Sequence, residues 1–219
     1  EENVSIINKN IKIDCNFTVN NLYIENSIIT FENENDRDYY LQMNNIFLKN
    51  SKFYIGSKDN NFNKKITFNF FDKTENNNNE NNLFLIVNGI FEIYGKEKSQ
   101  FSFLKKSAYK GNDTIIIESV INWEIGDEII LSDYPEKIEK KFIRDINFDK
   151  ENNNTIITLN SLLENYHYGE INTYKENSNE KTFDIRCEII NLSRNIKIKS
   201  SKKNYNEEGV SLNFIINDD

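Results

Sequence analysis

Several residue types are nearly missing from this chain. It has one Pro, one Trp, one Met, one His, two Cys, seven Gly and a single Ala in 219 residues. A lone histidine makes Ser-His-Asp chemistry or a multi-histidine metal centre hard to build, and no phosphate loop or calcium loop is present. Two cysteines make no disulfide framework. No apolar run approaches ~18 residues, so this segment offers no membrane-spanning helix. No stretch sustains the i, i+3, i+4 spacing of an amphipathic helix. Positive charge is also short: 27 Lys and Arg face 35 Asp and Glu, for a net charge of −8. That balance excludes the basic face a nucleic-acid binder needs. It also counts against a polyanionic ligand. The chain starts at Glu1-Glu2-Asn3 without Met and reads as part of a larger chain.

What is present is Asn, Ile and aromatic residues. There are about forty Asn, far from average usage, and codon bias in an AT-rich genome is the plain explanation. Aromatic residues make up 13%. With Ile at alternating positions, they point to a folded β protein with long polar loops rather than to disorder.

Three stretches repeat one pattern: Leu22 to Phe31, Ile46 to Ile55 and Phe84 to Ile93. Each is a short apolar strand, a two-residue pivot and a second strand. The pivots are Asn26-Ser27, Asn50-Ser51 and Asn88-Gly89. Removing the tract Asp72 to Asn82 as a loop restores a period in the low twenties. Such a period predicts an all-β chain built on the rungs of a parallel β-helix, or solenoid. Rungs are expected over about 4–108 and 182–217. Phe183 to Ile189, Asn195 to Lys199 and Val210 to Ile216 are read as its resumption. Between them the pattern changes, and about 109–174 is expected to be an inserted small antiparallel β unit or barrel. Within it, Lys141 to Ile146 and Thr155 to Leu159 read as a hairpin. Cys15 and Cys187 each continue an alternating apolar strand, so both are expected to be buried free thiols.

Four motifs carry a family resemblance: Gly89-Ile90-Phe91-Glu92-Ile93-Tyr94-Gly95, Trp123-x-x-Gly126-Asp127-Glu128-Ile129-Ile130, His167-Tyr168-Gly169-Glu170 and Leu192-Ser193-Arg194-Asn195-Ile196. In this order they resemble the eight-glycine (G-eight) domain, over roughly Val4 to Ser200. That family occurs in extracellular and cell-surface proteins, including fibrocystin and two hyaluronidases. The resemblance implies a solenoid-type fold with an inserted β unit and an outside-facing protein. Gly56, Gly89, Gly95, Gly126 and Gly169 fall where the family has glycine. Asn26 and Asn50 stand at the other corners, because Asn tolerates the left-handed region best after Gly.

The candidate ligand-binding residues are Trp123, Asp127, His167, Tyr168, Glu170 and Arg194. None forms an evident catalytic set. Trp123 could stack on a sugar, but its alternation with Ile125 also suits a core position. Asp127 and Glu170 could pair as carboxyls only if the insert folds them together. His167, between two tyrosines, reads either as a titrating group or as a loop histidine packed on them. With both thiols inward, no metal site is expected, and no cofactor. Glycosylation sequons stand at Asn3, Asn16, Asn112, Asn153 and Asn191, about as many as chance supplies in so Asn-rich a chain. The expected role is a non-catalytic extracellular recognition or scaffold module, binding glycan or protein. The alternatives are a polysaccharide-degrading domain or a rigid spacer.

Overall fold

The computed structural model describes residues 2–34, 36–70, 83–119, 121–133, 137–176, 179–200 and 211–215. The chain divides into two compact units. One comprises Glu1–Glu97 and Arg194–Asp219, the other Lys98–Ser193. Among the described residues every regular element is a strand. The Asn tract Asn76 to Asn82 lies outside them.

Eleven strands precede the second unit: β1 (Val4–Ile7), β2 (Asn10–Ile13), β3 (Phe17–Thr18), β4 (Asn21–Glu25), β5 (Ile28–Phe31), β6 (Tyr39–Met43), β7 (Asn45–Lys49), β8 (Lys52–Ile55), β9 (Ile66–Phe70), β10 (Leu83–Val87) and β11 (Ile90–Ile93). The second unit holds β12 (Phe101–Phe103), β13 (Thr114–Glu118), β14 (Glu128–Asp133), β15 (Lys137–Asp149), β16 (Asn154–Leu159), β17 (Ile171–Glu176), β18 (Asn179–Asp184) and β19 (Glu188–Asn191). Then β20 (Ile196–Ser200) and β21 (Ser211–Ile215) return to the first unit.

The first unit consists of three parallel sheets, ordered β1-β4-β7-β10-β21, β2-β5-β8-β11 and β3-β6-β9-β20. Each pass of the chain therefore adds one strand to each sheet. Register explains why like side chains stack. Ile24 lies beside Ile6 on one side and Leu48 on the other, and Leu48 beside Ile86. Ile24, Leu48 and Ile86 are each 1% exposed. Alternation turns Tyr23 and Phe47 to the opposite face, where their rings stack 4.7 Å apart. Phe31, Tyr39, Phe53, Phe62 and Phe68 fill the interior with tilted and edge-on contacts. Burying each such side chain contributes about 1.5–3 kcal/mol.

The pivots are left-handed at Asn. Asn26, Asn50 and Asn88 share φ 48°, and an earlier pivot at Asn8 has φ 55°. The glycine of the third pivot is thus not the turn residue: Gly89 follows it with an ordinary φ. Its lack of a side chain matters for space, because a Cβ there would lie 2.9 Å from the Ser51 carbonyl oxygen. In the two preceding passes that place belongs to serine. Ser51 Oγ accepts from Ser27 N at 3.1 Å and donates to Lys49 O at 2.8 Å. Ser27 Oγ likewise accepts from Lys9 N and donates to Glu25 O. A second ladder joins Asn3, Asn21 and Asn45 through their amides at 2.9 and 2.8 Å.

Cys15 departs from expectation: it is exposed. β2 ends at Ile13 and the chain bends before β3, so the parity that would have buried Cys15 is broken there. Cys187 is buried, and both thiols are free.

The second unit is larger than the sequence pattern suggested, starting at Lys98 and ending at Ser193. Its six-stranded antiparallel sheet runs β12-β19-β14-β15-β16-β13. The two edge strands meet through a bridge between Leu104 and Ile117. Phe101 to Phe103 and Glu188 to Asn191 belong to this sheet, not to the ladder. Residues 183–184 close a separate hairpin of β17 and β18. Alternation alone does not distinguish parallel from antiparallel partners, which is why these segments read as rungs. The β15–β16 hairpin forms as expected, with a register shift between Ile143 and Asp145.

Candidate functional site

Trp123 is a core residue. It is 2% exposed, and its indole Nε1 donates to Ser99 O at 2.7 Å. A stacking platform for a ligand is excluded by that burial. Its expected strand partner Ile125 is exposed, because the chain turns at Gly126, where φ is 88°. Asp127 follows and is also buried. Lys98 Nζ donates to its Oδ2 at 2.7 Å, and Glu124 N and Asn191 Nδ2 donate to the same oxygen at 3.0 and 2.8 Å. Asp127 is therefore a structural anion. Glu170 lies elsewhere, exposed, with Ser107 N and Oγ at 3.4 Å. These two carboxylates hold different partners and make no acid–base pair. Arg194 is exposed and belongs to the first unit.

His167 is fully buried, not a surface histidine on its tyrosine neighbours. Its backbone exchanges hydrogen bonds with Ala108 at 2.8 and 2.9 Å. Two residues on, Gly169 lies so close to this segment that a Cβ would come within 2.4 Å of Ser107 N. Only glycine lets the His167–Gly169 segment pack there, and its φ is not left-handed. The imidazole then faces two carboxylates and a thiol. Nδ1 is 2.7 Å from Asp133 Oδ2, Nε2 is 3.1 Å from Glu139 Oε1, and Cys187 Sγ is 3.7 Å from Nδ1.

Burial opposes the charge of Glu139, but its donors outweigh it. Glu164 N, Lys141, Asn165 and His167 hold its carboxyl at about 2. Burial, then the Asp133 charge, pushes the Cys187 thiol well above its ordinary value. The second oxygen of Asp133, Oδ1, is buried and has no hydrogen-bond partner among the described residues.

Asp133 also lies in the wall of a cleft of about 590 Å³, lined by Phe103, Tyr166, Tyr168, Asp184, Arg186 and Glu188 among others. Tyr166 reaches Ser107 Oγ and Tyr168 reaches Asn172 Oδ1 with their hydroxyls. Arg186 lies 5.0 Å from the centre of the Phe103 ring and grips Asp184 through Nε and Nη2 at 2.9 and 2.7 Å. That fork lowers the Asp184 carboxyl. Of the expected residues, the structure thus brings His167 and Tyr168 to one locality. Sequence reading missed Asp133, Glu139 and Arg186.

Asn3, Asn16, Asn112 and Asn153 are exposed, whereas Asn191 is 1% exposed. Its Nδ2 is committed to Asp127 and its Oδ1 accepts from Ser193 N, so it leaves the set of glycan acceptors.

The fold is that of an all-β protein with parallel sheets and no helix among its described residues. Residues 1–105 match the family model of the G8 domain, so the chain carries a G8 domain there. The motifs from Trp123 onward lie outside the matched residues. No curated protein and no solved structure matches the chain. Among the described residues no helix is long and apolar enough to cross a membrane.

Proposed function

We propose that the chain is a non-catalytic, extracellular or cell-surface recognition module that binds a glycan in the cleft of its second unit. The three parallel sheets of the first unit are read as the faces of a parallel β-helix supporting that role. The cleft carries the proposal. It combines aromatic faces at Phe103, Tyr166 and Tyr168 with polar groups at Asp133, Asp184 and Glu188. Sugar C–H faces pack on aromatic rings, and fixed polar groups orient the hydroxyls. The net charge of −8 favours a neutral or basic glycan over a polyanion. A hydrolase would need a carboxyl kept protonated near neutral pH. Asp184 is shifted the other way by Arg186, so it does not supply that acid.

The test is a glycan array probed with the 219-residue chain and with Tyr168→Ala. Binding to neutral glycans, weakened about tenfold in the variant, is the expected result. An array without a binder sinks the glycan ligand, and bond cleavage of any bound glycan sinks the non-catalytic role.

A further inference from the structure

The cluster around His167 is more than a satisfied core histidine. Asp133, His167 and Cys187 present one carboxylate oxygen, one imidazole nitrogen and one thiol sulfur, all within 4.8 Å of one another. We propose that these three residues bind a divalent transition metal of the zinc type, at the edge of the cleft. The site stands independently of any glycan.

Four observations converge. The donor set is one N, one S and one O, which suits zinc-like ions and not calcium or magnesium, whose ligands are oxygens. The spacing is nearly right. Bonds of ~2.0 Å to N and O and ~2.3 Å to S put tetrahedral neighbours roughly 3.3–3.5 Å apart. The 3.7 Å between Cys187 Sγ and His167 Nδ1 fits, and the 2.7 Å between Asp133 and His167 must open by roughly half an ångström.

The outer sphere is in place. His167 Nε2 faces Glu139 Oε1, the carboxylate–histidine arrangement that turns a ligating imidazole and leaves its other nitrogen free for metal. Glu139 itself is balanced by Lys141 at 3.2 Å, so it stays outside the first sphere. Finally, Asp133 Oδ1 is a buried acceptor with no hydrogen-bond partner among the described residues, on a side chain 9% exposed. A proton shared between His167 and Asp133 would satisfy Oδ2 and leave Oδ1 unpaired.

Charge closes as well. A thiolate and a carboxylate neutralise a divalent cation, with His167 neutral. Binding expels two protons to solvent, that of the Cys187 thiol and the one held between His167 Nδ1 and Asp133 Oδ2, while Nε2 keeps its proton toward Glu139; no electron is transferred. Three protein ligands leave a fourth position for water or a ligand oxygen.

The experiment titrates the chelator-stripped 219-residue chain with Co²⁺. One ion per chain, with the charge-transfer absorption of a thiolate–cobalt bond and displacement by Zn²⁺, is expected. Cys187→Ala must abolish that band while its far-ultraviolet dichroism stays that of the parent, and Asp133→Asn must weaken binding at least tenfold. No thiolate band at stoichiometric cobalt overturns the proposal. So does a band that survives in Cys187→Ala, because it would then arise from the exposed Cys15.

Discussion

Asn195 lies against Gly95 across a hundred residues of intervening chain. A Cβ on Gly95 would sit 2.7 Å from Asn195 Oδ1. That oxygen accepts from Lys96 N at 2.9 Å, while Nδ2 donates to Phe62 O and Lys64 O at 2.7 and 2.8 Å. The backbone carbonyl of Asn195 also accepts from Ile66 N at 2.8 Å. This one side chain closes the pass that the second unit interrupts. β11 precedes the departure, and β20 takes the next place beside β9 on return.

Gly95→Ala therefore pushes a methyl group into an amide that is pinned on three sides. Moving the Asn195 amide aside breaks these hydrogen bonds, so the expected cost is about 1–3 kcal/mol. Asn195→Ala leaves two carbonyls short of a donor and costs a similar amount. The double variant should fall short of the sum, since the clash has gone. Urea unfolding of the four proteins measures this; simple additivity would show that the two residues do not act on one another.

The corner at Asn50 makes a different prediction. Its φ of 48° lies in the left-handed region, and Ser51 beside it carries the hydrogen bonds of the turn. Asn50→Gly should leave stability within a few tenths of a kcal/mol, whereas Asn50→Ala should cost about 1 kcal/mol. Denaturation midpoints decide it. Equal losses in both variants would mean that the Asn side chain, and not the backbone conformation, stabilises the corner.

The same corner shows what the sequence could disclose. The parallel ladder was legible because one register repeats the same side-chain types at fixed spacing, and three Asn pivots mark its corners. The pivot at Asn8 escaped because Lys9 stands where Ser or Gly follows the others. The His167 cluster was legible only at its histidine. Its partners come from β14, β15 and the approach to β19, and no local pattern announces long-range pairing. One signal existed in β15. Glu139 and Lys141 share strand parity with Ile143, and all three are buried, while Ile138 and Phe142 are exposed. Reading parity from Ile143 would have placed a carboxylate and an ammonium inside. Reading it from the apolar residues nearest the turn places them outside. Hydrophobicity alone does not choose between these, because the inward charges are satisfied by one another and by the loop at residues 161–165.

Lys98 and Asp127 form a second inward pair, with side chains 6% and 8% exposed. Removing one charge strands the other away from water. Lys98→Met is expected to destabilise the protein by about 3–5 kcal/mol, the usual cost of breaking a buried pair. Asp127 would keep its donors Glu124 N and Asn191 Nδ2 but lose the Lys98 ammonium, its one cationic partner among the described residues. Lys98→Met with Asp127→Asn should recover part of that loss, because no buried uncompensated charge remains; Glu124, the other carboxylate on Lys98 at 3.1 Å, is half exposed to water. Thermal unfolding followed by Trp123 fluorescence reads the effect within the same unit. A loss below ~1 kcal/mol in the single variant, the range of an exposed pair, would contradict the burial on which this prediction rests.

Glycan occupancy separates exposed from buried sequons. Asn112 lies in an exposed turn, and Asn153 sits at φ 51° in the tip of the β15–β16 hairpin, where an attached sugar meets solvent. Asn191 is shut between Asp127 and Ser193. A glycan there would break both hydrogen bonds and carry a bulky polar group into the core. Expression through a eukaryotic secretory pathway, followed by peptide mapping, should find modification at Asn112 or Asn153 and none at Asn191. Asn191→Gln then tests the structural role separately. The longer side chain cannot keep its amide on Asp127 and its oxygen on Ser193 N together, so stability should fall by about 1–3 kcal/mol with occupancy elsewhere unchanged. Folded protein carrying a glycan at Asn191 would show that the Asp127 anchor does not form as described.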